Sequence, residues 1–172
     1  LVALPVVFQP ELRRALEHIG RGRLFHSNRM ISEEELAHML DEIIPLTAGL
    51  SKTKTGALLV FEREVGLNEI IDTGIQIDGL VSKELLGNIF IPNTPLHDGA
   101  VVIREGRIMA AGCLLPLTTD RSLSTELGTR HRAAIGISEK SDAVVVVVSE
   151  ETGAVSYTYG GHIYRHLTDE GL

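Results

Sequence analysis

The run Gly56-Ala57-Leu58-Leu59-Val60-Phe61 is the stretch that decides the fold of this 172-residue chain. It is apolar throughout rather than alternating, which is typical of a β-strand buried on both faces. A second run, residues 143–148, contains one alanine and five valines. Strands of this kind lie inside a sheet that helices cover. We therefore expect residues 56–61 to form a central strand of an α/β domain.

Two helices are predicted before this strand. The first begins at Pro10 and ends at Gly20, and its apolar residues at helical spacing are Leu12, Ala15, Leu16 and Ile19. The second begins with a capping box formed by Ser32 and Glu35, and its apolar stripe consists of Leu36, Leu40, Ile43 and Ile44. Because proline has no amide hydrogen, Pro45 is expected to kink or end this helix.

The segments after the central strand alternate between strands and helices. Ser82 is expected to cap one helix and Thr129 another, while Glu105-Gly106 is a candidate two-residue hairpin turn. In chain order we predict a turn and short helix (62–73), an edge segment (74–79), a helix (82–90), two strands (100–104 and 107–115), a polar loop (116–126), a helix carrying Ala133, Ala134 and Ile137, the strand at 143–148, and two more strands separated by Gly160-Gly161. The predicted fold class is α/β, a single globular domain with a central mixed β-sheet of about six or seven strands flanked by four or five helices.

The composition excludes several classes of protein. Hydrophobic residues make up 44% of the chain and charged residues 23%, which is ordinary for a folded domain and excludes disorder. A formal net charge of -7 argues against a nucleic-acid partner, because such proteins cluster Lys and Arg against phosphates. Cys113, the single cysteine, rules out a disulfide within the chain and is expected to be a buried reduced thiol.

The first 29 residues are apolar at their start and then basic. They begin at Leu1 rather than Met. They contain only two acidic residues but five arginines, which are Arg13, Arg14, Arg21, Arg23 and Arg29. One interpretation is that a hydrophobic membrane segment normally precedes this chain and that the arginines flank it on the cytoplasmic side. The other is an arbitrary fragment start with a solvated basic helix.

Asp98 lies where a loop is expected to enter a strand, in the sequence Leu96-His97-Asp98-Gly99-Ala100. A carboxylate in such a position can meet a ligand. Gly99 and Ala100 have the smallest side chains, so another backbone or a phosphate can approach closely. We expect this loop to meet two other polar clusters, residues 128–132 and 149–151.

The cluster Gly128-Thr129-Arg130-His131-Arg132 opens a predicted helix. Free backbone N–H groups and the helix dipole favour an anion at that position. The planar fork of arginine donates two parallel hydrogen bonds to phosphate. The cluster is therefore either a phosphate site or a solvated basic helix start.

The carboxylates Asp98 and Glu151, with Glu150 beside the latter, are candidates for a divalent cation, and His97 is a further ligand candidate. The chain contains neither a P-loop nor a Gly-x-Gly-x-x-Gly fingerprint nor a Gly-x-Ser-x-Gly elbow. P-loop and Rossmann nucleotide binding are disfavoured accordingly.

These motifs together closely resemble the diadenylate cyclase (DAC) domain of the bacterial membrane-anchored class. The resemblance runs from about residue 8 to the C-terminus and is carried by Asp98-Gly99-Ala100, Arg130-His131-Arg132, the approach Phe90-Ile-Pro-Asn-Thr-Pro-Leu-His97, and the segments at 126–134 and 148–153. It implies residues 1–30 as an N-terminal helix and basic linker after a missing membrane segment, and residues 31–172 as the catalytic domain.

The activity that the resemblance implies is condensation of two ATP into cyclic di-AMP with release of two pyrophosphates, assisted by Mn²⁺ or Mg²⁺, or by Co²⁺. The product has two identical linkages, so two-fold symmetry predicts a homodimer whose protomers each hold one ATP. The full-length protein is expected at the cell membrane with this domain cytoplasmic, the present chain being a soluble fragment. A regulatory membrane or cytosolic protein is a further expected partner, and nucleic acid is not.

The resemblance also implies roles for individual residues. Catalysis falls to Asp98, Gly99, Ala100, Arg130, His131 and Arg132, although His131 has helix geometry as its alternative role. ATP would be held by Leu115, Gly128, Thr129, Arg130, Arg132 and Ser149, and the metal by Asp98, His97 and Glu151.

Leu114 departs from the family pattern, because several membrane-anchored relatives have an aromatic residue there. Adenine is expected near Leu114 and Leu115, and an aliphatic side chain loses the stacking energy of about 1 to 3 kcal/mol of a base–aromatic pair. Two other functions remain open at this point. A nucleotide sensor would keep the arginines and Ser149 without needing Asp98, and a phosphodiester hydrolase would consume cyclic dinucleotide.

Overall fold

A computed structural model of the chain describes residues 12–18, 32–123 and 127–165. Within these ranges the chain forms one seven-stranded sheet. Its strands are β1 (Ala57–Phe61), β2 (Ile75–Leu80), β3 (Ala100–Arg104), β4 (Arg107–Cys113), β5 (Val144–Val148), β6 (Val155–Tyr159) and β7 (His162–Arg165). They are ordered β2-β4-β3-β1-β5-β6-β7, so β1 is central and β2 and β7 are the edges.

The sheet is mixed, with one parallel pair. β1 runs parallel to β3 and antiparallel to β5, and the other neighbouring strands are antiparallel. One edge of the sheet therefore contains the N-terminal ends of β1 and β3 and the C-terminal ends of β4 and β5. The loops at 96–98 and 149–151, predicted from the sequence to be functional, adjoin these ends.

Helices cover both faces of the sheet. They are α1 (helical over 12–18), α2 (Glu33–Lys52), α3 (Asn68–Ile71), α4 (Lys83–Ile89) and α5 (Thr129–Lys140). Leu59 and Val146 face a core shared with α1, α2 and α4. Val60 and Val145 face a second core shared with α3 and α5. The alternation of strand side chains between two apolar layers explains why these strands are apolar at every position. The predicted fold class is confirmed.

The start of α2 follows the sequence prediction. The Ser32 side chain accepts a hydrogen bond from the Glu35 backbone at 3.1 Å, and the Glu35 carboxylate accepts from the Ser32 backbone at 2.9 Å. The predicted apolar stripe is buried. The helix nevertheless continues past Pro45 to Lys52, so that proline does not end it. Pro45 and Asp41 are both exposed, which leaves water available to the Asp41 carbonyl that proline cannot bond.

Other boundaries differ from expectation by one or two residues. The predicted cap at Ser82 and the turn at Glu105-Gly106 are confirmed, since the Ser82 side chain accepts from the Leu85 backbone and Glu105 and Gly106 both have positive φ. Thr129 is not the cap of α5, because Gly128 occupies that position and Thr129 is the first helical residue. β4 ends at Cys113 rather than at residue 115, one residue after Gly112, whose φ is 65°.

Several expectations concern residues beyond the described ranges. Pro10, Ile19, Gly20 and most of the basic linker lie there, as do positions 124–126 of the polar loop. The division at residues 30 and 31 stays a prediction. In the described ranges, none of the helices combines the length and the apolar character that a membrane span requires.

Two glycines inside helices have opposite surroundings. A methyl group at Gly49 in α2 would meet nothing within 4 Å. A methyl group at Gly136 in α5 would overlap the Pro116 carbonyl and lie 2.9 Å from the Leu117 carbonyl carbon. The loop after β4 is held there by a 3.1 Å hydrogen bond from the Thr118 amide to the Arg132 carbonyl. Gly136 thus allows this loop to pack directly on the backbone of α5.

Replacing each glycine by alanine should change stability in opposite directions. Gly49→Ala is expected to raise the free energy of unfolding by about 0.5–1 kcal/mol, because alanine loses less backbone entropy in a helix. Gly136→Ala is expected to lower it by about 1–3 kcal/mol through overpacking. Urea unfolding followed by circular dichroism measures both, and equal stabilisation by the two variants would contradict the packing of the loop on α5.

Candidate active site

Three polar segments meet at one edge of the sheet. The registers pair Leu59 with Val101 in β3 and Ala57 with Val148 in β5. Continued outward, these registers place Gly56 between Asp98 on one side and Ser149 on the other. With neighbouring strands about 4.8 Å apart, the Cα atoms of Asp98 and Ser149 are roughly 10 Å apart across Gly56. The loops that carry Asp98 and Ser149 therefore lie on either side of the start of β1.

The loop before β3 is fixed by its own hydrogen bonds. The Thr94 hydroxyl donates to the Ile91 carbonyl at 2.6 Å, and Asn93 has a left-handed φ of 67°. Asp98 follows this turn and is exposed. Gly99 has a φ of 111°, and a methyl group there would lie 2.7 Å from the Cys113 carbonyl oxygen. The close approach expected at Gly99 is therefore that of a backbone, the end of β4.

His97 is half-buried, and its ring is oriented by the same loop. Nδ1 lies 2.6 Å from the Thr94 carbonyl oxygen. A carbonyl can only accept, so Nδ1 carries the proton in the neutral ring and Nε2 keeps its lone pair. This arrangement is the one by which proteins present Nε2 to a metal ion.

The N-terminus of α5 has no side-chain cap. Gly128 is the N-cap residue, and the first turn contains no acidic residue. The first helical hydrogen bond runs from the Arg132 amide to the Gly128 carbonyl. The amides of Thr129, Arg130 and His131 therefore lack acceptors within the helix, which makes this end suitable for an anion.

Arg130 extends from this first turn over the start of β1. Its Nη1 donates to Oε2 of Glu150. A methyl group at the buried Gly56 would collide with Glu150 and lie 2.9 Å from Cζ and Nη1 of Arg130. Nε of Arg130 is buried and has no hydrogen-bond partner within the described part of the chain. The ion pair thus lies directly on the backbone of the central strand.

The other two residues of the Arg-His-Arg motif have different surroundings. Arg132 is half-buried, and two positions along a helix are about 200° apart around its axis, so Arg130 and Arg132 leave α5 on different sides. His131 is 7% exposed. Burial lowers the pKa of His131, the positive charges of Arg165 and Arg130 lower it further, and Glu150 opposes them. A neutral, buried imidazole supports helix packing better than it supports phosphate binding.

Ser149 shapes the turn after β5. Its hydroxyl oxygen accepts hydrogen bonds from the amides of Glu151 and Thr152, both at 3.2 Å, and its hydroxyl proton remains available to an acceptor. Ser51 at the end of α2 donates to the Gly153 carbonyl at 2.5 Å and fixes the turn from below. Glu151 is exposed at the tip of the turn.

The expected adenine region lies beside the end of β4. Leu114 is 69% exposed, and its amide donates to the Thr73 hydroxyl at 2.9 Å. Leu115 is half-buried against the second core. Cys113 is a buried thiol as expected, and burial raises its pKa to about 11. It is therefore a packing residue and not a nucleophile.

The structure brings together some of the predicted residues and leaves others apart. Asp98, Ser149 and the N-terminus of α5 share one edge of the sheet. In the described ranges, no group of three His, Cys, Asp or Glu residues is close enough to hold a metal ion, so His97, Asp98 and Glu151 do not form a preassembled site. Sequence reasoning missed the contact of Glu150 with Arg130, and it also missed the roles of Gly56 and Thr73.

Comparison with known proteins identifies a family for this arrangement. The sequence pattern of the DAC family, described as DisA bacterial checkpoint controller nucleotide-binding, matches residues 47–163. That range contains strands β1 to β6, the start of β7 and all three segments of the candidate site. The match covers well over half of the chain.

Two bacterial relatives match almost the whole chain. The cyclic di-AMP synthase CdaA of Bacillus subtilis is 50% identical over 171 residues, which are 99% of this chain and 63% of that protein. A diadenylate cyclase of Listeria monocytogenes is 48% identical over the same lengths. The chain thus spans somewhat less than two thirds of the length of these curated relatives.

A solved structure agrees with the fold described above. The crystal structure of DacA from Staphylococcus aureus, determined for a double mutant, superposes with a TM-score of 0.75 at 46% identity. The superposition covers 82% of this chain and 96% of that one. The resemblance found in the sequence motifs is confirmed, and the chain belongs to the DAC family of nucleotide-binding domains.

Proposed function

We propose that this chain is the catalytic domain of a diadenylate cyclase that condenses two ATP into cyclic di-AMP and releases two pyrophosphates. The names of the two relatives, a cyclic di-AMP synthase and a diadenylate cyclase, support this activity. The supporting observation within the structure is the convergence of Asp98, the uncapped N-terminus of α5 and the Ser149 turn at one edge of the sheet.

The residues at this edge fit the needs of a nucleotide triphosphate. The free amides of the first turn of α5, the Arg130 guanidinium and the Ser149 hydroxyl proton are all donors, and phosphate oxygens are acceptors. Thr129 is exposed on the same turn, and Gly128 leaves the approach to it open. Arg132 would contribute from the other side of the helix. Adenine would lie against Leu114 and use the backbone groups of Leu115.

The ligand candidates fit a hard divalent cation such as Mn²⁺ or Mg²⁺. Asp98 and Glu151 offer exposed carboxylates, and His97 offers Nε2. Such ions are commonly held by one or two protein carboxylates together with substrate phosphates, so a preassembled group of three protein ligands is not required. The bound cation would neutralise negative charge on the triphosphate.

The reaction forms one bond and breaks one bond for each ATP. The 3′-hydroxyl oxygen of one ribose attacks the α-phosphorus of the other ATP, its proton passes to the Asp98 carboxylate or to water, and the bond to pyrophosphate breaks in line. Asp98 would orient that hydroxyl and the cation. The donors around Arg130 would stabilise the charge that develops on the phosphoryl oxygens. Gly99 and Ala100 would act indirectly, because their small side chains let the end of β4 pack against the loop that carries Asp98.

We further propose that catalysis occurs between two protomers facing each other. One sheet edge with one phosphate site can place only one ATP, while the product needs two in reciprocal orientation. We also propose a membrane location for the full-length protein, with this domain on the cytoplasmic side and a regulatory membrane or cytosolic protein acting on it. That location is supported by the resemblance to the membrane-anchored class.

Asp98→Asn should strongly slow synthesis without abolishing ATP binding. We expect the parent chain with ATP and Mn²⁺ or Mg²⁺ to yield cyclic di-AMP, identified by chromatography and mass analysis, and the variant to be about 10²- to 10⁴-fold slower. Asp78→Asn is the matched control, because Asp78 is exposed on β2 beside Arg107 at the opposite end of the sheet.

Three results would contradict this assignment. Unchanged turnover in Asp98→Asn would remove Asp98 from the chemistry. ATP binding by the parent chain with no product at any protein concentration would favour a nucleotide sensor. Disappearance of added cyclic di-AMP would favour a hydrolase.

Leu114→Tyr should strengthen ATP binding. A tyrosine ring at this exposed position can stack on adenine, which corresponds to roughly 5- to 150-fold in dissociation constant. Leu80→Tyr is the control, since Leu80 is also 69% exposed but lies at the far end of β2. Equal affinity for ATP in Leu114→Tyr and the parent chain, measured by calorimetry, would place adenine elsewhere.

The rate per protomer should rise with protein concentration and then level off. A face-to-face dimer forms the product, whereas a monomer holds ATP without turning it over. Initial rates over roughly a thousandfold range of concentration, compared with the dimer fraction from analytical ultracentrifugation, test this expectation. A rate per protomer that stays constant while the dimer dissociates would contradict it.

A further inference from the structure

Glu150 is a carboxylate of the site that already has a partner in the structure. Its side chain is 55% exposed, and Oε2 accepts a hydrogen bond from Nη1 of Arg130, whose side chain is 22% exposed. Glu151, the next residue, is exposed at the turn. Two adjacent acids at a site for a polyanion would repel it, so each needs a compensating role.

The environment of Arg130 shows what Glu150 does to it. Within the described part of the chain, Glu150 is the only hydrogen-bond partner of the Arg130 side chain. Guanidinium presents donors on more than one edge, and Nη1 is held by Glu150 while Nε and Nη2 lie together on another edge. Nε is buried and has no acceptor within the described residues, so an acceptor supplied by a ligand at this edge would satisfy it. That edge is suited to two oxygens of one phosphate.

The Arg130–Glu150 ion pair packs directly against the backbone of Gly56. A methyl group at this position would collide with Glu150 and come within 2.9 Å of both Cζ and Nη1 of Arg130. Gly56 has no left-handed φ, so the backbone conformation does not explain a glycine there. A glycine is needed because the side chains of Arg130 and Glu150 occupy the space that a Cβ atom would fill.

The turn that carries Glu150 is itself rigid. Ser149 donates its amide to the Ala154 carbonyl at 3.0 Å, its carbonyl accepts from the Gly153 amide at 2.9 Å, and Ser51 holds Gly153 from α2. Glu150 therefore reaches Arg130 from a fixed base. Rigidity on this side lets a surface carboxylate define the position of a long, flexible arginine.

We propose that Glu150 is a positioning residue, which together with Gly56 orients the Arg130 guanidinium so that its Nε–Nη2 edge receives a phosphate of ATP. The proposal rests on the proposed function only in taking ATP as the ligand. Glu150 acts through Arg130 and contacts neither the nucleotide nor the cation. Its negative charge near the phosphates is offset by the orientation that it gives to Arg130.

The test is a thermodynamic cycle on ATP binding, with turnover as a second readout. We expect Glu150→Gln to raise the dissociation constant for ATP, measured by calorimetry with Mg²⁺, by about tenfold in the parent chain. In an Arg130→Ala background the same substitution should change the dissociation constant less than about twofold, because the residue on which it acts is absent. Glu139→Gln, an exposed site at the far end of α5, is the matched control in both backgrounds.

Gly56→Ala provides an independent route to the same end, because it displaces the pair without altering any charge. It should weaken ATP binding in the parent chain and add little to Glu150→Gln. Circular dichroism and the urea midpoint establish that each variant is folded. If Gly56→Ala does not fold, the Glu150 and Arg130 cycle alone decides.

Two outcomes would overturn the proposal. Tighter ATP binding in Glu150→Gln would show that Glu150 competes with phosphate for Arg130. An equal loss in the parent and Arg130→Ala backgrounds would show that Glu150 acts directly, on the cation or on the fold of the turn. Since binding is measured without turnover, a chain that binds ATP but makes no cyclic di-AMP refutes the proposed function and still decides this inference.

Discussion

The backbone pairing of β1 on both sides is the constraint on which the rest of the structure depends. Residues 57–60 are at most 3% exposed, so every peptide group of this strand must find its partner inside the sheet. The parallel register with β3 and the antiparallel register with β5 satisfy that need. The same registers also determine which loops end together. The hydrogen bonding of the central strand thus determines where the candidate site lies.

Glycines then allow backbone and charged groups to come close at that edge. Gly99 packs on the end of β4, Gly56 lies under the Arg130–Glu150 pair, and Gly136 lets the loop after β4 lie on α5. In each case a side chain would occupy space that another group already fills. The site therefore depends on these close contacts.

The sequence predicted the elements well and the contacts between them less well. The continuous apolar runs, the Ser32 capping box and the Glu105-Gly106 turn are local signals, and the structure confirms them. Of the two expectations for Pro45, a kink or the end of α2, the end is wrong, because the cost of a proline depends on whether water can reach the carbonyl it leaves unpaired. The Arg130–Glu150 contact spans 20 residues and follows from strand register, which no local pattern reveals. The role of Gly56 was missed for the same reason: the sequence shows it only as the first residue of an apolar run, and its contact with Arg130 and Glu150 depends on strand register.

The charges at the site explain why a cation belongs to the proposed chemistry. Asp98, Glu150 and Glu151 supply three carboxylates against the two guanidiniums of Arg130 and Arg132, and burial keeps His131 neutral. Such a set is negative in sum before a triphosphate arrives, and the chain as a whole has a net charge of -7. Long-range attraction therefore cannot bring ATP to this surface. In the proposed function, a divalent ion that enters with the triphosphate would offset this negative charge, and the exposed carboxylates of Asp98 and Glu151 are the candidates to share it.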